Sequence, residues 1–286
     1  MKIKYLFKTL FLYFLICGIS FASNIEFESD NIKIFDEGNI IHAFQGKAFD
    51  VKKKLEIEGV KSIYDKSSSQ LTIIKNVRFF DIIENISIET EKAIYYEKLN
   101  LIKTIGKTFI RIEDKYTIDS SNILYDRKNF EIKSSEDTTI EDKSLNILNF
   151  EEGFRFEINK EIISSKKTNI IDNFNNNYSF LDSKINMITK EIVGKEIKID
   201  FVDDLFGDEN NDPRLKGKSI ISNKNFTKIH KSVFSTCSLE NKKCRDWSME
   251  SEIFNHDKKQ QIFEYKNSWI KMWDKRLMFI PYFNHP

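Results

Sequence analysis

The sequence predicts an all-β chain, a stack of antiparallel hairpins, on three observations. Apolar residues alternate with polar ones in many short runs. "LTIIKNVRF" sets Leu71, Ile73, Val77 and Phe79 on one side, "GKTFIRIE" does so with Thr108, Ile110 and Ile112, and "GFRFEI" with Phe154, Phe156 and Ile158. A period of two marks half-buried strands, and no 3.6-residue stripe is sustained long enough for a helix. The runs also repeat. Residues 61–81, 92–112 and 121–141 share an aromatic–acid step at Tyr64-Asp65, Tyr96-Glu97 and Tyr125-Asp126, and residues 251–272 carry His256-Asp257 in that place. Spacing near 30 residues is the signature of stacked units, each a hairpin unable to bury its apolar face alone. Finally, 9 Gly and 3 Pro in 286 residues allow few tight primed turns, so the joints should be longer and polar.

In chain order, residues 1–22 read as a cleaved signal peptide. Lys2, Lys4 and Lys8 precede an apolar run from Thr9 to Phe21, and Ser20-Phe21-Ala22 supplies small residues at the cleavage site. That run is shorter than the ~20 residues a spanning helix needs. Residues 23–202 form the β-repeat domain, residues 203–218 ("DDLFGDENNDPRLKGK") an acidic loop, and residues 219–286 the last repeats. The loop lacks the alternating Asp/Asn spacing of a calcium site. A formal charge of +1 carries no basic footprint, which argues against nucleic acid as a partner.

Catalytic and metal motifs are absent from the pattern. His42, His230, His256 and His285 are scattered, and there is no nucleophile elbow, phosphate loop or dinucleotide fingerprint, so neither an enzyme nor a cofactor is expected. His256-Asp257 reads as a structural variant of the Tyr-Asp step. Cys237 and Cys244 are the cysteines left after export, and an oxidising compartment favours a disulfide, local or to a partner, with zinc as the rival. Ile73, Val77, Phe79, Ile94, Tyr96, Ile110, Ile112, Tyr125, Phe154 and Phe156 are expected to face one interior. Such an interior is either a groove for acyl chains or a closed core, since both require the same alternation.

The repeated "Y-D-x5-L-x-I-x-x-N-V" wording resembles the organic-solvent-tolerance A repeat of lipopolysaccharide transport. The segment 206–286, with "FGDENNDPRLKG", "FSTC" and "KNSWIKMWDKRLMFIPYFNHP", is similar to the stretch leading into the outer-membrane lipopolysaccharide-assembly barrel of that family. The resemblance implies an open, twisted β-jellyroll or taco that receives lipopolysaccharide at the periplasmic face of the outer membrane, without catalysis. It further implies a periplasmic bridge protein paired on a sheet edge, a lipoprotein plug as partner, and a chain truncated before its barrel. On this reading the aromatic segment from Trp269 to Pro286 is a docking end. A bridge protein of the same repeat family is the runner-up, and a structural β-repeat surface protein the rival class.

Overall fold

The computed structural model describes residues 24–202, 212–236 and 247–285. These form one antiparallel sheet of twenty strands. The first six are β1 (Ile25–Phe35), β2 (Ile40–Asp50), β3 (Leu55–Asp65), β4 (Gln70–Asp81), β5 (Ile86–Tyr96) and β6 (Leu101–Ile112). Six shorter ones follow: β7 (Tyr116–Ser121), β8 (Leu124–Asp126), β9 (Glu131–Ser134), β10 (Thr138–Asp142), β11 (Ile147–Glu151) and β12 (Phe154–Glu157). The rest are β13 (Ile162–Ile171), β14 (Asn177–Asn186), β15 (Glu191–Asp200), β16 (Arg214–Ser222), β17 (Phe226–Ser235), β18 (Trp247–Asp257), β19 (Ile262–Met272) and β20 (Lys275–His285).

Each long strand pairs with its sequence neighbours. Between β6 and β13 the strands break at their middles, so the ladder runs as two rows, β7–β10–β11 and β8–β9–β12, that rejoin on β13. These eight strands form a ring of pairings around the break. Among the described residues β1 pairs only with β2 and β20 only with β19, so these are the edges of the described sheet. The repeat is real: Leu55, Ile86, Tyr116 and Ile147 open successive hairpins.

The joints show why glycine is scarce. Asp65 Oδ1 accepts the N–H groups of Ser67 (2.9 Å) and Ser68 (3.3 Å), and Asp126 and Asp257 cap their turns in the same way. A carboxylate that closes its own turn replaces the conformational freedom glycine would give. The acid of the repeat is therefore a turn cap at Asp65, Asp126 and Asp257, whereas Glu97 in the same place accepts the Tyr64 hydroxyl (2.6 Å) and the Asn24 amide (2.8 Å). Ser69, Asn100, Phe130, Lys190 and Gln261 end their turns in the left-handed region.

A second column of left-handed residues runs through the strand middles. It includes Gln45, Lys75, Asn76, Asn122, Glu152, Asp182, Lys231 and Asn267. Ladder registers shift at the same level, between Glu58 and Lys61, Ile74 and Val77, and Thr90 and Lys92. Extra residues of this kind bend a strand sharply. The sheet is thereby creased along its length and folded into two facing walls. Buried hydroxyls line the crease and bond one another: Thr108 donates to Thr104 (2.8 Å), and Ser120–Thr138 (2.7 Å), Thr168–Ser183 (2.6 Å) and Ser251–Ser268 (2.7 Å) pair across the ladders. Each hydroxyl is buried and satisfied, as buried polar groups must be.

The walls enclose one apolar core built from nearly every strand. Ile73, Val77, Phe79, Ile110, Ile112, Tyr125, Phe154 and Phe156 all lie in it. Ile94 and Tyr96 do not, which corrects their expected orientation. In β5 the buried set runs Ile86, Ile88 and Thr90, then switches to Ala93 and Tyr95. At the crease β5 steps two residues, Thr90 to Lys92, where β4 and β6 each step three. The buried face of β5 switches there, so every later side chain points the other way. The acidic loop is also shorter than expected, because β16 begins at Arg214 and takes residues 214–218 into the sheet. Residues 203–211, the segment 1–22, and both Cys237 and Cys244 lie outside the described residues.

Candidate functional site

The two walls meet again at their free rims, and the seam between the rims is where polar chemistry concentrates. One rim carries the turns after β3, β5 and β8, the other those after β2, β4 and β6. On the second rim, aspartates cap their turns with one carboxylate oxygen and reach across with the other. Asp50 accepts the N–H of Lys53 on Oδ1 (3.1 Å) and the hydroxyl of Tyr95 on Oδ2 (2.7 Å). Asp81 accepts Ile83 N–H on Oδ1 (3.2 Å), and on Oδ2 both Tyr125 (2.9 Å) and Arg127 Nε (2.7 Å). Arg127 also donates to Asn100 Oδ1 and the Lys53 carbonyl, each at 2.9 Å, while Lys53 Nζ bonds the Glu97 carbonyl. Further along, Glu161 accepts Tyr116 (2.6 Å) and Lys115 (3.1 Å), and Lys190 approaches Asp142 at 3.6 Å.

That series ends for a local reason. Asp172 repeats the capping pattern, with Phe174 and Asn176 N–H groups on Oδ1 at 2.9 Å each. Its Oδ2, however, accepts Tyr178 (3.0 Å), six residues along on the same rim, instead of a tyrosine across the seam. Next to that point the rims part and a cavity of about 490 Å³ opens. Its walls are Leu148, Ile170, Phe180, Ile185, Ile192, Ile199, Leu215, Ile220, Phe254 and Phe263, drawn from β11 and β13 to β19. Its mouth carries Asp142, Asp172, Lys190, Ser222, His256 and Lys258.

The mouth has two sides of different character. Asp142 and Asp172 are engaged by their own turns. On the opposite rim, burial first and the Lys258 charge second hold the His256 imidazole below its usual pKa, so the ring is neutral near pH 7 and stacks on Phe263 at 4.4 Å. Burial also lowers the pKa of Lys258, whose Nζ donates to the Asn223 carbonyl (2.7 Å) and Ser222 Oγ (3.1 Å). Ser222 and Lys258 have the separation of a Ser–Lys pair. Ser222 Oγ is also shared with Thr227 at 2.7 Å, and the turn's N–H groups at Asn225 and Phe226 go to Asn223 Oδ1, so no donor pair is set for an oxyanion. Among the described residues no cluster of three His, Cys, Asp or Glu could hold a metal, and no helix is long and apolar enough to cross a membrane.

None of the ten residues expected to line an interior borders this cavity. Eight sit in the packed core, mostly beneath the bridged seam, and two on the outer face of β5. His256, read as a structural residue, belongs to the mouth. Phe180, Ile199 and Phe254 were missed, although their alternation is the same as that of the residues singled out.

The seam tyrosines give a pH dependence with a definite sign. Burial and then the hydrogen bond to Asp50 hold the Tyr95 phenol well above its ordinary value, burial and then the Asp81 charge do so for Tyr125, and burial pushes Tyr265 up to about 12. An acid whose folded pKa is raised stabilises the fold fully below its unfolded value near 10, and that contribution is lost as pH rises through the folded value. Unfolding free energy should therefore fall progressively above about pH 10. Tyr95 and Tyr125 should contribute tyrosinate absorbance only as the β-sheet circular dichroism is lost. Ionisation of these two near pH 10 with the sheet intact would contradict the seam geometry.

No protein-family model matches the chain, and comparison with curated proteins finds no match.

Proposed function

We propose that the protein is a non-catalytic lipid carrier that holds acyl chains between its β-walls, and that it acts in lipopolysaccharide transport and assembly at the periplasmic face of the outer membrane. The observation that carries the reading is the 490 Å³ apolar cavity lying open at the seam, with a charged mouth beside it. An acyl chain gains about 0.8 kcal/mol per buried methylene before ordering costs, so even a dozen methylenes give useful affinity. A head group left at the mouth keeps its water. The resemblance of the repeats supplies lipopolysaccharide as cargo. It also supplies the partners, a bridge protein on a sheet edge and a lipoprotein plug. Among the described residues β1 and β20 are the strands with an unpaired edge, and β20 exposes Leu277, Met278, Phe279, Tyr282 and Phe283.

The rival reading, a structural β-repeat protein, draws on the packed core and bridged rims of β1 to β12. Site-specific photocrosslinking separates the two. Probes at Phe180, Ile199 and Phe254 should capture lipopolysaccharide, while exposed Arg78 and Arg155 should not. Equal labelling from both sets, or none from the cavity, would reject the carrier.

A further inference from the structure

We propose that the cavity seats one acyl chain, and that the ligand it holds whole is a single-chain amphiphile with an anionic head group bound by Lys258. The inference deepens the lipid-carrier reading and rests on it. A methylene occupies about the volume of a water molecule in the liquid, ~30 Å³, so a cavity of 490 Å³ takes roughly sixteen methylenes. That is one long chain. A multi-acyl lipid would leave most of its chains in water unless the bridged seam opened as well.

Lys190 approaches Asp142 across the seam at 3.6 Å, and the His256 ring lies against Phe263 on the neighbouring strand, all four bordering the cavity. Between them, the polar groups differ by rim. The carboxylates of Asp142 and Asp172 already accept N–H groups and side-chain donors of their own turns, and Asp172 in addition the Tyr178 hydroxyl. Lys258, on the facing rim, has two neutral acceptors as its described partners, the Asn223 carbonyl and Ser222 Oγ. A carboxylate or phosphate at the chain's end would give this ammonium a counter-charge. Burial disfavours the charged lysine, and an anionic head would reverse that.

The test uses the exported chain in detergent-free buffer, titrated with saturated fatty acids from dodecanoate to eicosanoate, matched monoacylglycerols, single-chain phosphate esters and multi-acyl lipopolysaccharide. Native mass spectrometry gives stoichiometry, and displacement of a fluorescent fatty acid gives affinity. One chain should bind per protein, tightening by up to about fourfold per added methylene and levelling near sixteen carbons. The acids or phosphate esters should bind about tenfold tighter than the monoacylglycerols, and Lys258→Met should abolish that preference. Whichever of carboxylate and phosphate binds tighter identifies the head group. Ile192→Trp, which fills part of the cavity from a partly exposed position, should move the plateau to shorter chains. Affinity still rising at twenty carbons, two chains bound at once, or no preference for anions overturns the inference while the lipid reading stands. So does tight one-to-one binding of lipopolysaccharide with the seam closed. Failure of the folded chain to bind any lipid overturns both.

Discussion

Arg127→Ala should destabilise the protein by about 3–5 kcal/mol, the expected cost of stripping one partner from a buried ion pair. Arg127 and Asp81 are both almost fully buried, with side-chain exposures of 5% and 2%. Alanine would leave the Asp81 carboxylate in the seam with the Tyr125 hydroxyl and turn N–H groups, but with no cation. It would also release Asn100 and the Lys53 carbonyl from their bonds to the guanidinium. Replacing both members together, Arg127→Met with Asp81→Asn, should restore much of the loss, because the penalty lies in the unpaired charge rather than in the missing bridge. Urea unfolding of wild type, both single variants and the double variant closes the cycle. A loss below about 1 kcal/mol for Arg127→Ala would mean the rims are not held together here, since that is the range of an exposed pair.

The second large effect is expected at the crease. Gly153 has φ +93°, and a Cβ there would overlap the Ser134 carbonyl oxygen and lie 2.8 Å from Ser135 Cα. Both obstacles are backbone, so no rotamer relieves them. Gly153→Ala should cost roughly 2–4 kcal/mol, the sum of the left-handed penalty and the overpacking. Gly38 provides the control: its φ is +95°, yet nothing lies within 4 Å of its Cβ position. Gly38→Ala should therefore lose only the conformational part, roughly 1 kcal/mol. Equal losses at the two sites, read from denaturant midpoints, would remove the steric argument for a tightly folded crease.

Much of the architecture was legible because alternation and a thirty-residue repeat survive in plain view. The crease was not. Its left-handed positions are held by Lys75, Asn76, Gln45 and Lys231, residues that look like ordinary surface in a strand. Because the ladder shifts register at the bend, alternation followed straight through it picks the wrong face, as at Ile94 and Tyr96. Arg127 is equally hidden. In "YDRKN" it reads as part of a solvated turn, and only the meeting of two rims distant in sequence buries it. The cavity is hidden in the same way: Phe180 and Phe79 have the same local pattern, yet Phe180 borders the cavity and Phe79 does not.

The neighbour-to-neighbour order of the strands has a consequence for how the chain comes apart and together. No described ladder joins residues further apart in sequence than Phe226 and Asp257. Structure can thus nucleate at many hairpins and spread along the stack, with stability close to a sum over adjacent units. The seam bonds modify that picture in one half only. Tyr95 with Asp50, Tyr125 with Asp81 and Arg127 with Lys53 tie each hairpin to the one before last, over distances of 44 to 74 residues in related pairs such as Lys53–Glu97 and Lys53–Arg127. Amide exchange should accordingly be collective from β2 to β12 and graded, one hairpin after another, from β14 to β20. The half that holds the cavity is then the half that can open locally without unfolding the rest.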